Sequence, residues 1–339
     1  MNTVQPSHLA RSLRAFFADY LPGVRGMSPQ TIQSYRDTWV LLLRFLTISQ
    51  HLDPITLEFE RLAPETILAF LAHLETERHN SVATRNVRLA AVHAFFRYVA
   101  AQSPDYLEQA QRIIGIPFKR TGARPIDYLD YAEIQAVLNS IDRATAAGRR
   151  DYALLATLFN TGARVQEIVD LRVCHLQLSP PLQVRLQGKG RKVRYCPLWS
   201  QTAALLRDYC AERQLVPNSE APVFVNQRGQ PLTRFGIRYI LARHCQTARQ
   251  TTPSLAAKRL HPHCMRHSTA VHMLRSGVDL VTISHWLGHA SANTTHRYAV
   301  LDMEMKREAI AKAQTPYEGE PAMGVWKQDA SILEWLEAL

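Results

Sequence analysis

The sequence has few cysteines, and none of them is paired in a motif. The five cysteines are scattered without a CxxC spacing, and an odd, dispersed set is typical of free thiols in a reducing compartment. No apolar run is long enough to span a bilayer, and the first residues do not have the layout of a signal peptide. These absences argue against a secreted disulfide scaffold and against a membrane partner. They predict a cytoplasmic protein.

Acidic side chains are also in short supply relative to basic ones. The 339 residues include 40 Lys and Arg against 29 Asp and Glu, which gives a net charge of +11. This balance favours a polyanionic partner, nucleic acid first, because cations bound along phosphates release counterions. A basic protein without such a partner is the alternative that charge alone leaves open. The length predicts about two domains, and the 46% hydrophobic content allows each a sizeable core.

Residues 1–115 have the pattern of a small all-helical domain. Apolar residues recur at helical spacing in four segments, of which the first, over residues 7–20, is expected to end at a Leu-Pro-Gly sequence. Because the domain has no paired carboxylates and no ligand-spaced cysteines, we assign it no chemistry of its own. The three later helices are expected to begin at Ser28-Pro29, Pro64 and Ser81.

The helix from Ser81 carries basic side chains beside its apolar face. We place Val87 on that face, and Arg85 and Arg88 mostly off it. Arginines in such positions either form a solvated helix side or, given the net charge, contact nucleic-acid phosphates. Arg85 and Arg88 are therefore DNA-binding candidates.

A basic linker is expected over residues 116–128. Two prolines and a glycine suit an extended chain, and three basic residues accompany them. The linker is either a strap along a DNA backbone or an ordinary surface connection. Its DNA-binding candidates are Lys119, Arg120 and Arg124.

The second domain, over residues 129–312, presents an arginine between two helices. A helix that is apolar nearly all round is expected to end at Gly162, and another begins just after Arg164. This position suits a rigidly held guanidinium that binds phosphate with two donors. A pairing of Arg164 with Glu167 or Asp170 is the alternative. Upstream, Asp130 and Glu133 predict a capped helix start.

Short strands follow Arg164. Two segments alternate apolar and polar residues around the turn from Gly188 to Arg191, which predicts an antiparallel hairpin, and a further strand precedes them. The fold class is therefore mainly α with a small antiparallel β-sheet. Lys189 and Arg191 lie at the hairpin tip, where they are either solvated or reach into a DNA groove. The glycine spacing is not that of a nucleotide-binding P-loop.

A basic helix is predicted over residues 234–249. We assign Arg238 to its basic face, and to its apolar side Phe235, Ile237, Ile240 and Leu241. This face either lies in a DNA major groove or is solvated. Arg191 and Arg238 complete the set of DNA-binding candidates.

The segment 261–298 concentrates histidines, an arginine and a tyrosine. His263 and Arg266 stand three residues apart at a helix start, so they share a face. Two helix-like segments then lead to His289 and on to Tyr298. A metal site is a rival interpretation, but the ligand spacing fits no closed tetrahedral pattern, and Arg266 would place a cation beside the metal. Its ligands would be His261, His263, Cys264 and His267.

In their order along the chain, these motifs resemble the tyrosine recombinase (phage integrase) family. They cover most of the second domain and are specific as a set, and residues 1–115 resemble more loosely a SAM-like core-binding domain that clamps DNA. Cys264-Met265 and Thr269-Ala270 depart from the usual residues, though at no catalytic position. The matching segments TGARVQE, GKGRK, HPHCMRH, LGH and HRY carry Arg164, Lys189, His263, Arg266, His289 and Tyr298.

The resemblance implies an enzyme that cuts and rejoins DNA at specific sites through a 3′-phosphotyrosyl intermediate on Tyr298. A phenol with a pKa of about 10 needs help to attack. Arg164 and Arg266 would hold the non-bridging phosphate oxygens, and His263 would accept or return the phenolic proton. In addition, His289 would donate to a phosphate oxygen, and Lys189 would protonate the leaving 5′-oxygen. The transfer conserves bond energy and cations neutralise the phosphate, so neither ATP, a metal nor another cofactor is expected.

The implied partners are duplex DNA with a recombination site and further copies of the chain, as a tetramer on two sites, together with related recombinases. We favour integration, excision or transposition of a mobile element. The alternatives are an Xer-like resolvase of chromosome or plasmid dimers, a non-catalytic DNA-binding accessory protein, and a type IB topoisomerase-like enzyme. Residues 313–339 form an acidic, amphipathic tail. We favour its docking on a neighbouring protomer over folding back on its own domain.

Overall fold

The computed structural model describes five stretches of the chain, which fall into two compact units that divide between Arg124 and Pro125. Most of the described residues are helical, and the sheet they form has three strands, so the predicted fold class is confirmed. None of their helices is long and apolar enough to cross a membrane. The described residues are 7–50, 57–122, 126–188, 192–258 and 260–288.

The N-terminal unit is helical throughout its described elements. Three helix starts lie where the sequence predicts them, and the Ser81 hydroxyl caps the fourth helix by accepting from the Thr84 amide at 3.3 Å. Two features differ from expectation: the first helix continues through Pro22 as a wider π-helical turn to Val24, and a fifth helix follows the fourth. The helices are α1 His8–Ala15, α2 Pro29–Gln50, α3 Pro64–Thr76, α4 Val82–Gln102 and α5 Leu107–Ile114.

The buried face of α4 differs from the predicted one. Leu89 and Val92 are fully buried, and Arg85 lies four and seven residues before them, which places it on the same face. Arg85 is therefore only 3% exposed, whereas Val87 is 51% exposed. The placement of Arg85 off the apolar face and of Val87 on it was wrong, because the core contacts of the later turns fix the rotation of the whole helix.

The C-terminal unit contains seven helices in its described residues and a hairpin between them. The predicted cap of the first of these helices is confirmed: Asp130 and Glu133 exchange hydrogen bonds of 2.9 Å with each other's backbone N–H. Gly162 ends the buried helix in the left-handed region, at φ +56°, as expected of a C-cap glycine. The helices are α6 Tyr131–Asn139, α7 Ala146–Thr161, α8 Val165–Val169, α9 Ser200–Glu212, α10 Arg234–Ala248, α11 Pro262–Arg275 and α12 Leu280–Leu287.

The sheet follows α8 and has the order β1-β2-β3, with antiparallel pairing throughout. Val184 and Leu186 on the second strand and Cys196 on the third point into the core, while Arg194 pairs with Leu186 and shares the inner face of Cys196. The first strand is shorter than predicted because a 3-10 turn precedes it. The strands are β1 Leu176–Gln177, β2 Gln183–Gln187 and β3 Val193–Pro197.

The buried face of helix α10 agrees with the predicted one except at Phe235. Ile237, Ile240 and Leu241 are buried, which fixes the inner face. Phe235 lies two residues before Ile237, on the far side of the helix, and is 78% exposed. The assignment of Phe235 to the apolar side was therefore wrong. Its outer face combines this aromatic ring with the exposed Arg238.

Candidate active site

Arg164 follows the C-cap of α7 and precedes the first turn of α8. Its backbone N–H donates to Glu167 Oε2 at 2.8 Å, and its Nη1 donates to Glu167 Oε1 at 3.0 Å. Its Nη2 donates to the Gly288 carbonyl at 3.1 Å, across 124 residues of sequence. The pairing with Glu167 that the sequence left open is present, yet the Arg164 side chain remains 35% exposed. The guanidinium is both held and accessible.

Arg266 lies in the first turns of α11 and is only 4% exposed. Its Nη1 donates to the Gly162 carbonyl at 2.7 Å, and its Nη2 donates to the Leu287 carbonyl at 2.6 Å. Both acceptors belong to helix C-termini, where carbonyls lack intrahelical donors and carry partial negative charge. The guanidinium is therefore fixed by backbone from two distant segments.

Three arginines donate hydrogen bonds to the C-terminal end of α12. Three successive carbonyls, from Trp286, Leu287 and Gly288, accept hydrogen bonds from Arg194, Arg266 and Arg164, respectively. Neighbouring carbonyls of one chain lie a few ångströms apart, so this arrangement brings the Arg164 and Arg266 guanidinium groups to one place. The structure thus assembles two candidate catalytic residues that are about a hundred residues apart in sequence.

Glu167 is the buried carboxylate of the site, with its side chain 2% exposed. It accepts two hydrogen bonds from Arg194, from Nη1 at 2.7 Å and from Nη2 at 2.8 Å. Burial raises the pKa of Glu167, but the hydrogen bonds and charge of Arg194, together with Arg164, outweigh it, and the net pKa is lowered. Burial lowers the pKa of Arg194, but its pairing with Glu167 outweighs this and the net pKa is raised. The pair is therefore charged.

His263 stands three residues before Arg266 on α11 and reaches solvent. The pKa of His263 is lowered, first by the desolvation of its ring among neighbouring protein atoms, and then by His261, Arg266 and Arg164. His263 and Arg266 lie three residues apart on α11, so they share a face of that helix. A neutral imidazole at neutral pH is the form that a general base requires.

Three of the six candidate catalytic residues, Lys189, His289 and Tyr298, lie outside the described residues. The glycines immediately before Lys189 and His289 are described. A Cβ on Gly188 would lie 3.2 Å from Glu167 Oε1 and 3.7 Å from Arg164 Nη1, and the Gly288 carbonyl accepts from Arg164. The chain therefore enters the segments of Lys189 and of His289 from positions beside Arg164.

The DNA-binding candidates of the N-terminal unit are mostly engaged in internal contacts. Arg85 donates to the Pro117 carbonyl at 3.2 Å, and Arg88 donates to the Ser34 carbonyl and to the Thr38 hydroxyl, each at 3.1 Å. These bonds give Arg85 and Arg88 structural roles that the sequence pattern does not predict. We therefore drop the buried Arg85 from the DNA-binding candidates.

The start of the predicted linker is held against α4 and α3. Asn86 donates to the Lys119 carbonyl at 2.8 Å and accepts from the Lys119 amide at 3.1 Å. The Lys119 side chain pairs with Glu75 at 2.6 Å and is 54% exposed. Arg120 is exposed beside it, whereas Arg124 and Arg191 lie outside the described residues.

Two residues of the site were not recognised from the sequence. Glu167 was considered only as a competing partner of Arg164, and Arg194 was not singled out. A signal for Arg194 was present, because strand alternation places it on the same face as the buried Cys196. A charged residue on the inner face of a strand indicates a buried ion pair.

The rival metal site finds no support in the part of the chain that the structure describes. No group of three or more His, Cys, Asp or Glu side chains is arranged there as a metal site. Cys264 is fully buried, and the His261 and His263 ring centres lie 6.1 Å apart.

A helical unit is followed by a mixed unit in which Arg164 and Arg266 meet at the end of α12 beside the β-hairpin, an arrangement that suits the binding of a phosphate group. Residues 127–305 match the model of the phage integrase family, and residues 15–103 match its N-terminal SAM-like domain. The chain belongs to the phage integrase family and is a site-specific tyrosine recombinase.

Individual relatives agree with this assignment. A protein of Sinorhizobium fredii that bears the name integrase/recombinase y4rC is 39% identical, over 98% of both chains. Tyrosine recombinase XerC of Pelobacter propionicus is 30% identical, over 91% of this chain and 98% of its own. Among solved structures, the XerH recombinase in a post-cleavage complex with difH has a TM-score of 0.66 at 23% identity, over 85% of this chain and 81% of its own. It supports the fold.

Proposed function

We propose that the chain binds a specific site on duplex DNA, cuts one strand with Tyr298 and passes through a 3′-phosphotyrosyl intermediate. The convergence of Arg164 and Arg266 on successive carbonyls of α12 is the observation that carries this proposal. Two fixed guanidinium groups side by side match the non-bridging oxygens of a phosphodiester, whose charge grows as the phenol attacks.

The proton transfers follow from the remaining candidates. His263 is the group that accepts the phenolic proton of Tyr298 in cleavage and returns it in ligation, and its lowered pKa keeps it neutral and ready to accept. His289 donates to a phosphate oxygen. Lys189 gives a proton to the leaving 5′-oxygen. The phosphotyrosyl bond retains the energy of the broken bond, so religation to a new strand needs no external energy source.

We propose that DNA is contacted by both units. Residues 1–115 form a helical clamp, residues 116–128 a basic linker, and residues 129–312 the catalytic domain. In the catalytic domain, the outer face of α10 suits a DNA groove because it exposes Arg238 among Phe235 and Tyr239, which are 78% and 66% exposed. Arginine reads guanine edges and phosphates, and an aromatic ring packs against thymine methyl groups. DNA-bound relatives such as XerH support this partner.

The biological role that we propose is integration, excision or transposition of a mobile element. The 39% identity to an integrase/recombinase along nearly the whole chain supports it. An Xer-like resolvase is the second candidate, which the 30% identity to XerC supports. Recombination assays separate the two roles. A plasmid carrying the ends of the element that encodes the chain should recombine under the first role, and a plasmid carrying chromosomal dimer-resolution sites under the second.

A nicked suicide substrate tests the chemistry. The nick lets the short strand downstream of the cut diffuse away, so the covalent intermediate accumulates and is seen as a shifted band on a denaturing gel. We expect an adduct with the wild-type chain and none with Tyr298→Phe, which should still bind DNA. Binding without any adduct would favour the accessory-protein alternative, and relaxation of supercoils without recombinant product would favour a topoisomerase-like enzyme.

We propose that the active assembly is a tetramer on two duplexes and that residues 313–339 dock on a neighbouring protomer. The tail lies outside the described residues. Its acidic, apolar composition makes a protein surface a better partner than DNA. Deletion of residues 325–339 should weaken the joining of two sites in a gel-shift assay while leaving single-site cleavage measurable. Unchanged joining would overturn the docking role.

A further inference from the structure

Arg194 is held at three points in the site, although the proposed chemistry uses it in no step. It lies on β3 with its side chain 12% exposed. Its two terminal nitrogens bind both oxygens of Glu167, and its Nε donates to the Trp286 carbonyl at 2.9 Å. A Cβ on Gly288 would lie 3.0 Å from Arg194 Cδ, so the chain after α12 packs closely on this arginine.

Glu167 divides its hydrogen bonds evenly between two arginines. Oε1 accepts from Nη1 of Arg194 at 2.7 Å and from Nη1 of Arg164 at 3.0 Å. Oε2 accepts from Nη2 of Arg194 at 2.8 Å and from the backbone N–H of Arg164 at 2.8 Å. The Arg164 side chain thus reaches the carboxylate through one nitrogen. Its second terminal nitrogen donates to the Gly288 carbonyl instead.

We propose that Arg194 is a positioning residue that keeps Arg164 available to the scissile phosphate by occupying the Glu167 carboxylate. This inference rests on the function proposed above. An arginine and a carboxylate left to themselves favour a bidentate fork with two parallel hydrogen bonds. Without Arg194, Arg164 would turn onto both oxygens of Glu167 and leave the Gly288 carbonyl. Its guanidinium would then turn away from the place that it shares with Arg266, and its free N–H groups would no longer face the scissile phosphate.

The location of Arg194 extends this role to the hairpin. It stands on the strand that leads away from the Lys189 turn, and through Trp286 it binds the end of the helix that leads to His289. The Arg194 side chain therefore connects the hairpin to the end of α12, and both of these segments lie beside Arg164. A hairpin that shifts would move Arg194 and with it the carboxylate that orients Arg164.

Single-turnover cleavage of the suicide substrate at saturating DNA tests the role in catalysis. Arg194→Gln should slow cleavage about a hundredfold, similar to the loss of one transition-state donor, and change DNA affinity less than about threefold. Arg194→Lys keeps the positive charge but cannot form the fork, so its cleavage rate should lie between those of the wild type and Arg194→Gln. Arg149→Gln is the control, because Arg149 also binds both oxygens of a carboxylate, that of Glu212 on the exposed surface, through Nε and Nη2 at 2.7 and 2.6 Å. It should cleave as the wild type does.

A double-mutant cycle separates positioning from a general structural role. If Arg194 acts through Arg164, Arg194→Gln should slow the Arg164→Ala variant by less than about threefold, since the group to be positioned is already gone. An undiminished hundredfold loss in that background would overturn the proposal. A melting curve of each variant shows whether the protein is folded at the temperature at which its cleavage rate is measured.

A crystal structure of the Arg194→Gln variant tests the geometry without relying on activity. We expect both Arg164 terminal nitrogens on Glu167 and a broken bond to the Gly288 carbonyl. Unchanged Arg164 contacts would overturn the proposal even if cleavage is slow. If the variant does not fold, Arg194→Lys serves the same purpose, because a single ammonium leaves one carboxylate oxygen to Arg164. A wild-type chain without any adduct would instead refute the proposed function, while the crystal structure would still decide the role of Arg194.

Discussion

Arg266 and Leu287 are joined by a hydrogen bond of 2.6 Å between a buried guanidinium and the last carbonyl of α12. The same guanidinium holds the Gly162 carbonyl at the end of α7. Arg266 therefore binds the C-terminal ends of two helices. A further candidate residue follows each helix in the sequence, Arg164 after α7 and His289 after α12. Backbone carbonyls therefore set the orientation of Arg266.

This geometry predicts that Arg266→Lys abolishes most cleavage. A single ammonium on a flexible stem cannot reach the Gly162 and Leu287 carbonyls in the planar fork geometry and also face a phosphate. We expect single-turnover cleavage to fall about 10²–10³-fold, with DNA binding largely retained. Arg275→Lys, an exposed arginine on the same helix, is the control and should be unaffected. A lysine variant that cleaves at a near-normal rate would contradict the assigned role.

The cleavage rate should depend on pH through the protonation of His263. The pKa of His263 is lowered from its ordinary 6.5, first by desolvation and then by nearby charges. A base with a lowered pKa stays neutral at pH 7, so the cleavage rate should be flat from pH 8 to about 6.5 and fall only below that. Protonation also opposes folding there, since the folded pKa lies under the unfolded one.

A pH–rate profile of single-turnover cleavage, compared with that of His263→Gln, checks this expectation. The variant should be slower at every pH and should lose the acid limb that belongs to the histidine. Thermal unfolding at each pH shows whether the rate falls at low pH because the protein unfolds or because His263 is protonated. An unaltered acid limb in His263→Gln would assign the titration to another group.

The sequence predicted where most helices begin better than it predicted the contacts that the helices make. Helix starts at Ser81 and Asp130 follow from local capping, which depends on neighbours three residues away. The side chains at the edges of a buried face do not, because core partners from other helices decide their burial, and this is why Arg85 on α4 and Phe235 on α10 were misplaced. The bond from Arg194 to Trp286 spans 92 residues and has no local signature.

Salt dependence of DNA binding should distinguish Arg238 from Arg85. Arg238 is exposed on α10, so Arg238→Ala should weaken binding and reduce the slope of log affinity against log salt by about 1 if it neutralises one phosphate. Arg85 is buried and bound to the Pro117 carbonyl. Arg85→Ala should lower the melting temperature and leave the slope unchanged. A reduced slope in folded Arg85→Ala would restore it as a phosphate contact.

Gly162 should tolerate alanine far worse than Gly229 does, although both adopt a positive φ, at +56° and +73°. The left-handed backbone costs each alanine roughly 1–2 kcal/mol. At Gly229 the new methyl group meets nothing within 4 Å, whereas at Gly162 it would overlap Leu287 Cδ2. Overpacking adds about 1–3 kcal/mol there.

Denaturant unfolding of the two variants measures the difference. Because the Gly162 and Leu287 carbonyls both hold Arg266, the shift that relieves the clash should also displace this guanidinium and slow cleavage by the folded Gly162→Ala protein. Gly229→Ala should cleave normally. Equal losses of stability in the two variants would show that the backbone strain alone matters, and that the packing between Gly162 and Leu287 does not set the geometry of the site.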